Sequence, residues 1–181
     1  SWVGANLDTA PGPTVDCRAM TPPRMVTLSP GNAGIEETVA LMWDRILTYS
    51  PLIRRTATEI LARAGQPTRT LFQAGALYRW VQTHLYYVRD HVHVEELFGP
   101  EALISDALVL EAQGLKAPGD CDDFVEVLGA LLAHIGIPLE LVTTSARDDG
   151  EYDHVFLLIE TDGGTLALDA IPLHGEPQLL G

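Results

Sequence analysis

Residues 119–136 read Gly119-Asp120-Cys121-Asp122-Asp123-Phe124-Val125-Glu126-Val127-Leu128-Gly129-Ala130-Leu131-Leu132-Ala133-His134-Ile135-Gly136. Cys121, Phe124, Val125, Leu128, Leu131, Leu132 and Ile135 fall at steps of three and four, the period of one face of a helix. Gly136 supplies a stop. The aspartates at the start read as a cap together with charges that the positive end of the helix dipole favours. Immediately downstream the period changes from helical to two. Residues 139–145 form one predicted strand. Residues 153–160 form a second, so apolar that a central strand covered on both faces is expected. Residues 165–169 form a third. Asp162-Gly163 between the last two is a strong two-residue hairpin signal.

Upstream, the pattern is helical. Ile35, Val39, Met42 and Ile46 share a face, with Glu36 and Glu37 expected in the first turn. Ser50-Pro51 reads as an N-cap followed by proline at the first helical position. Ile53, Ala57, Ile60, Leu61 and Ala64 then line one side, up to Gly65. A further helix is predicted over 70–86, with Leu71, Ala74, Tyr78, Val81 and Leu85 inward. Residues 100–113 hold a short helix, and 116–119 read as a turn ending in Pro118-Gly119. Helices come first and strands last, which is the order of an α+β domain. Residues 1–30 carry five of the chain's 12 prolines (Pro11, Pro13, Pro22, Pro23, Pro30) and read as an extended arm, with a short edge strand around Val26 and Leu28.

Composition bounds the function. The chain has 181 residues, 46% hydrophobic and 20% charged, enough for one domain with a core of its own. Eleven basic against 25 acidic residues give a net charge of −14, a field that repels phosphate backbones, so no nucleic-acid partner is expected. No apolar run reaches the length of a membrane span, and no basic-then-apolar leader is visible, so neither membrane insertion nor secretion by a signal peptide is expected. Cys17 and Cys121 have neither metal spacing nor the look of a disulfide framework, which suits a reducing compartment.

Cys121 carries the chemistry. A helix N-terminus presents unpaired N–H groups and partial positive charge, which favour a thiolate and can hold the oxyanion of a tetrahedral intermediate. Asp120, Asp122 and Asp123 act the other way and raise a thiol pKa. A partner cation is needed to offset them, and a nearby imidazolium, its ring oriented by an acid, is the usual one. His154 and Asp169 meet that need. If Asp162-Gly163 is a two-residue turn, Thr161 pairs with Gly164 and Asp169 falls opposite Phe156. His154 is two residues from Phe156 on the same face, so Asp169 is its diagonal neighbour. A three-residue turn would send the two to opposite faces.

Gly-Asp-Cys-Asp-Asp opening an apolar helix, then Asp153-His154-Val155-Phe156, then Leu168-Asp169, resembles the transglutaminase-like superfamily. The resemblance covers residues 68–172. It implies a papain-like core with a nucleophile at Cys121, a base at His154 and an orienting acid at Asp169. It also implies an aromatic hydroxyl near the oxyanion, and Tyr87 is the matching position. Thr38-Val39, the helix before Pro51, and Tyr86-Tyr87-Val88-Arg89-Asp90 are similar to compact members encoded by tailed phages and prophages. Two departures stand out. Asp169-Ala170-Ile171 replaces the Asp-Pro-Thr of many relatives. Residues 94–116 form a longer segment, readable as a lid or a partner surface.

The reading is therefore an α+β transglutaminase-like, papain-like domain over 31–181, with a helical layer over 31–136 and a small antiparallel sheet over 137–172, preceded by the arm over 1–30. The resemblance implies a thiol enzyme acting on an amide, peptide or isopeptide bond, with hydrolysis the first choice because no feature marks an amine acceptor site. The alternative is a phage virion or assembly protein that keeps the fold as a binding module. Protein or peptide substrates and other virion proteins are the expected partners, in the host cytoplasm or the virion. This chemistry needs no cofactor, and no metal is expected. The consecutive aspartates read as a cap rather than a calcium site, and His91, His93 and Glu95 as a solvated edge rather than zinc ligands.

Overall fold

The computed structural model describes residues 24–26, 32–88, 95–144, 154–171 and 178–180. In chain order the elements are β1 (Arg24–Val26), α1 (Asn32–Leu47), α2 (Pro51–Arg63), α3 (Thr70–His84), β2 (Leu85–Tyr87), β3 (Glu95–Leu97), α4 (Pro100–Glu111), β4 (Ala117–Gly119), α5 (Cys121–His134), β5 (Leu139–Thr144), β6 (His154–Thr161), β7 (Gly164–Leu168) and β8 (Gln178–Leu180). This is a mixed α+β architecture. Most of the predicted arm lies outside the described residues. Its strand around residue 26 is present as β1, antiparallel to β3.

Helix α5 is the centre of the molecule. It touches α1, α2, α3, α4 and strand β6. Every residue from Asp123 to Leu132 is buried, including Glu126 at 0% exposure. The expected single apolar face is therefore too narrow a description, since a helix apolar almost all round is buried on all sides. Of its two buried carboxyl groups, Glu126 meets Arg45 of α1, whose Nη1 lies 3.4 Å from Glu126 Oε1 and 3.4 Å from the Phe98 carbonyl. Gly129 lets α1 approach. A Cβ there would sit 2.9 Å from Ile46 Cδ1, and Ile46 is fully buried.

The helix ends largely follow local chemistry. Ser50 caps α2, with its hydroxyl accepting from Ile53 N–H at 3.3 Å, and Pro51 occupies the first turn. Helix α1 starts earlier than expected, at Asn32, so its first turn carries no acidic residue.

Two short segments depart from the sequence reading. Residues 85–87 are not the end of α3, and 117–119 are not a turn. They pair as a parallel two-stranded ladder, β2 with β4, Tyr87 opposite Gly119. Parallel partners 32 residues apart leave no local signal, and a proline inside β4 argues locally against a strand.

The larger sheet runs β5-β6-β7-β8, antiparallel throughout. The β6–β7 register has Thr161 opposite Gly164 and Leu157 opposite Leu168, as a two-residue Asp162-Gly163 turn requires. Strand β6 is interior in the sheet, but only one face is fully covered. Val155, Leu157 and Ile159 are buried, while His154, Phe156 and Leu158 are half-buried. Beyond the expected strands, β8 pairs with β7 and carries the sheet past residue 172. The hairpin tip is tied to the start of α3, which has no cap of its own. Asp162 accepts from Arg69 Nε and, at 3.4 Å, from the Leu71 N–H. No helix among the described residues is long and apolar enough to cross a membrane.

Asp123 shows what it costs to bury the start of α5. Its Oδ2 accepts from the Asp120 N–H at 3.3 Å and its Oδ1 from the Phe98 N–H at 3.2 Å. Burial, and then the neighbouring Asp120 carboxylate, push Asp123 up to about 9 from an ordinary value of 3.8. Across that window the folded chain holds a proton that the unfolded chain has released, so this contribution is complete below about pH 4 and is lost as pH rises towards about 9. Melting temperature measured from about pH 5 to about pH 9 should fall, and Asp123→Asn should flatten the slope. At Gly129, valine should lower unfolding free energy by about 1–3 kcal/mol through overpacking on Ile46. In urea titrations its cost combined with Ile46→Ala should be less than the sum of the two single costs.

Candidate active site

Asp120 is the N-cap of α5. Its Oδ1 accepts from the N–H of Asp122 at 3.1 Å and of Asp123 at 3.3 Å, and Asp123 answers through the Asp120 N–H, which completes a capping box. Gly119 serves this box by its lack of a side chain rather than by a special backbone angle, because a Cβ there would meet Asp123 Cβ at 3.0 Å. The cap satisfies the second and third N–H groups of the helix. The first belongs to Cys121 and is not among those the cap takes.

The Cys121 sulfur is half-buried against the core and donates to Asp122 Oδ1 at 3.5 Å. Burial pushes the thiol well above its ordinary value, and the carboxylates of Asp122 and then Asp120 push the same way. The opposing influences read from the sequence thus resolve in favour of a neutral thiol. Desolvation penalises the thiolate most, and the Asp122 backbone N–H, which favours it, has the smallest influence.

The β6–β7 hairpin brings His154 and Asp169 together. His154 Nε2 lies 2.8 Å from Asp169 Oδ2. An ionised carboxylate only accepts, so Nε2 carries the hydrogen in this bond, and Nδ1 is the nitrogen able to take another proton. The ring leans on Phe156, its same-face neighbour, with centroids 6.3 Å apart. Asp169 is held at two further points. Its Oδ1 accepts from the Ile171 N–H at 3.3 Å, and its carbonyl accepts from the Tyr78 hydroxyl at 2.7 Å.

Tyr87 sits half-buried on β2, across the ladder from Gly119 and so beside the mouth of α5, and Val88 N–H continues that ladder to the Gly119 carbonyl at 2.9 Å. Of the predicted site residues, His154 and Asp169 are in direct contact. Tyr87 is brought to the helix start by the ladder. The sulfur is hydrogen-bonded to Asp122 rather than to the imidazole. Among the described residues no three His, Cys, Asp or Glu side chains form a group able to hold a metal ion. Cys17, Asp90, His91 and His93 lie outside the described residues.

Sequence reasoning treated Tyr78 only as core and gave His134 no role. The inward position of Tyr78 on the helix over 70–86 was the available signal, because a buried tyrosine hydroxyl needs a partner, and in the structure Tyr78 is 1% exposed. His134 joins α5 to α2, with Nε2 accepting from the Ser50 N–H at 2.9 Å and Nδ1 2.7 Å from the Ala130 carbonyl.

No protein-family model matches the chain, and no curated protein matches it. Among solved structures, the fold is similar to that of a "putative protease" from Parabacteroides distasonis ATCC 8503, with a TM-score of 0.51 and 15% sequence identity. The likeness covers 80% of this chain and spans 28% of the length of that structure. At this identity the shared property is the fold.

Proposed function

We propose that this domain is a transglutaminase-like thiol enzyme with a papain-like core, which hydrolyses an amide, peptide or isopeptide bond through Cys121, His154 and Asp169. The observation that carries the reading is the 2.8 Å contact between His154 and Asp169 on one hairpin, in a fold that also sets a cysteine as the first residue of its central helix. The fold likeness to a protein described as a putative protease supports the same class.

Because the thiol rests in its neutral form, the first step in this reading is proton transfer on demand. His154 Nδ1 takes the thiol proton while Nε2–H stays on Asp169, and the sulfur attacks the carbonyl carbon. The oxyanion is held by the Cys121 N–H and the Tyr87 hydroxyl. The C–N bond breaks, the imidazolium gives its proton to the leaving amine, and a thioester remains. Water, deprotonated by the same imidazole, releases the acid and restores the thiol.

One observation favours the absence of turnover in the second reading, in which a phage virion or assembly protein keeps the fold as a binding module. The sulfur is paired with Asp122, and both burial and charge hold it as a thiol.

The two readings separate by measurement. In a complex peptide mixture followed by mass spectrometry, the wild type should generate cleavage products that Cys121→Ala does not. His154→Ala should slow their formation by about 100-fold or more. Iodoacetamide labelling of Cys121 at about pH 6 should depend on His154. Products that persist in Cys121→Ala, or labelling of Cys121 and Cys17 with the same pH dependence in both wild type and His154→Ala, would leave only the binding module.

A further inference from the structure

We infer that Tyr78, with Gln82 behind it, is a positioning residue for the His154–Asp169 pair: its hydroxyl sets the backbone of Asp169, and through it the ring of His154. The inference rests on the reading of Cys121, His154 and Asp169 as the reacting groups.

Three observations carry it. First, Asp169 lies just beyond the regular sheet. The β6–β7 ladder ends at the Leu157–Leu168 pair, and the β7–β8 ladder covers only residues 165–167 of β7. The register brings Asp169 to the right face, but regular pairing stops one residue short of it. Second, the Tyr78 hydroxyl donates to the Asp169 carbonyl at 2.7 Å, and Tyr78 itself is 1% exposed in the core of α3. A ring held in a close-packed interior cannot drift, so the hydroxyl is a fixed point. Third, Gln82, one turn along the same helix, donates through Nε2 to the Tyr78 oxygen at 3.0 Å. With its oxygen accepting from Gln82, the phenol turns its hydrogen to the carbonyl, and a donor that also accepts is polarised towards a stronger bond. Lys116, next to β4, donates to the Gln82 backbone carbonyl at 3.1 Å and ties this part of α3 to the segment leading to Cys121.

The carboxylate then has little freedom. Its chain is pinned at the carbonyl by Tyr78, its Oδ1 by the Ile171 N–H, and its Oδ2 faces His154 Nε2 at 2.8 Å. Without the hydroxyl, the Asp169 carbonyl loses this donor, and the backbone that carries the carboxylate is set less firmly against the imidazole. The Nε2–H tautomer, which leaves Nδ1 free of hydrogen for the thiol proton, then loses its bias.

The test compares wild type, Tyr78→Phe, Gln82→Leu and Asp169→Asn, with iodoacetamide as the thiol probe. Imidazole ¹⁵N NMR reports the His154 tautomer, assigned through His154→Gln, while the His84 and His134 signals report that the fold is intact. Wild type should show an Nε2–H tautomer. Tyr78→Phe should shift His154 towards a tautomer mixture as Asp169→Asn does, and slow Cys121 alkylation at about pH 6 by about 2- to 10-fold, the worth of one net hydrogen bond. Gln82→Leu should move both readouts the same way by less, and it carries the test should Tyr78→Phe fail to fold. An unchanged His154 spectrum in a folded Tyr78→Phe or, failing that, in Gln82→Leu overturns the inference. A changed spectrum with alkylation indifferent to both Tyr78→Phe and Asp169→Asn upholds the positioning role and instead removes the thiol-enzyme reading.

Discussion

The other elements of the fold are arranged around the buried helix α5. Four helices and the sheet pack on one apolar rod, so each element's position is defined relative to it. Asp120 and Asp123 are buried at the helix start, so their polar groups need partners within the protein. The chain solves this with the reciprocal bonds of Asp120 and Asp123, close contact at Gly119, and the Phe98 N–H drawn onto Asp123. The same arrangement places Cys121 at the first position of the helix, with its N–H outside the cap. Desolvation also raises the thiol and Asp123, and pushes Glu126 up to about 8 against the pull of Arg45. Stability of the central helix and the ionisation state of the sulfur therefore come from one cause.

The second half of the candidate site is built by different physics. A two-residue turn sets the register of β6 and β7, and alternation along the strands puts His154 and the residue after β7 on one face. Register alone does not hold a carboxylate that lies beyond the ladder. Helix α3 supplies the additional hold through Tyr78, so the imidazole–carboxylate pair depends on helical packing as well as on the sheet. The hairpin tip is fixed to the same helix by Asp162 at its N-terminus. Helix α3 thus grips the hairpin at both ends.

Much of this was legible in the residues. The steps of three and four after Cys121 marked α5, Ser50-Pro51 marked the start of α2, and Asp162-Gly163 set a register from which the His154–Asp169 contact followed by counting. What was missed has a common character. Pairing of residues 85–87 with 117–119 joins partners with no turn between them, and β4 contains a proline. The strand at 178–180 follows a segment without strand periodicity. The hydroxyl of Tyr78 looked like one more ring on an apolar face, because a helical period records which side a residue occupies and not the atom it meets.

Local order follows from the residues alone: where α2 to α5 begin, which strand faces alternate, and how a two-residue turn must align His154 with Asp169. These follow from backbone geometry and hydrogen bonding within a few residues, which neighbouring side chains dictate. Packing in three dimensions covers α5 from Asp123 to Leu132, turns the Cys121 sulfur to Asp122 as a neutral thiol, and brings a tyrosine 91 residues earlier in the chain to the Asp169 carbonyl. Desolvation and long-range contact depend on what surrounds a group in space, and no period along the chain encodes that.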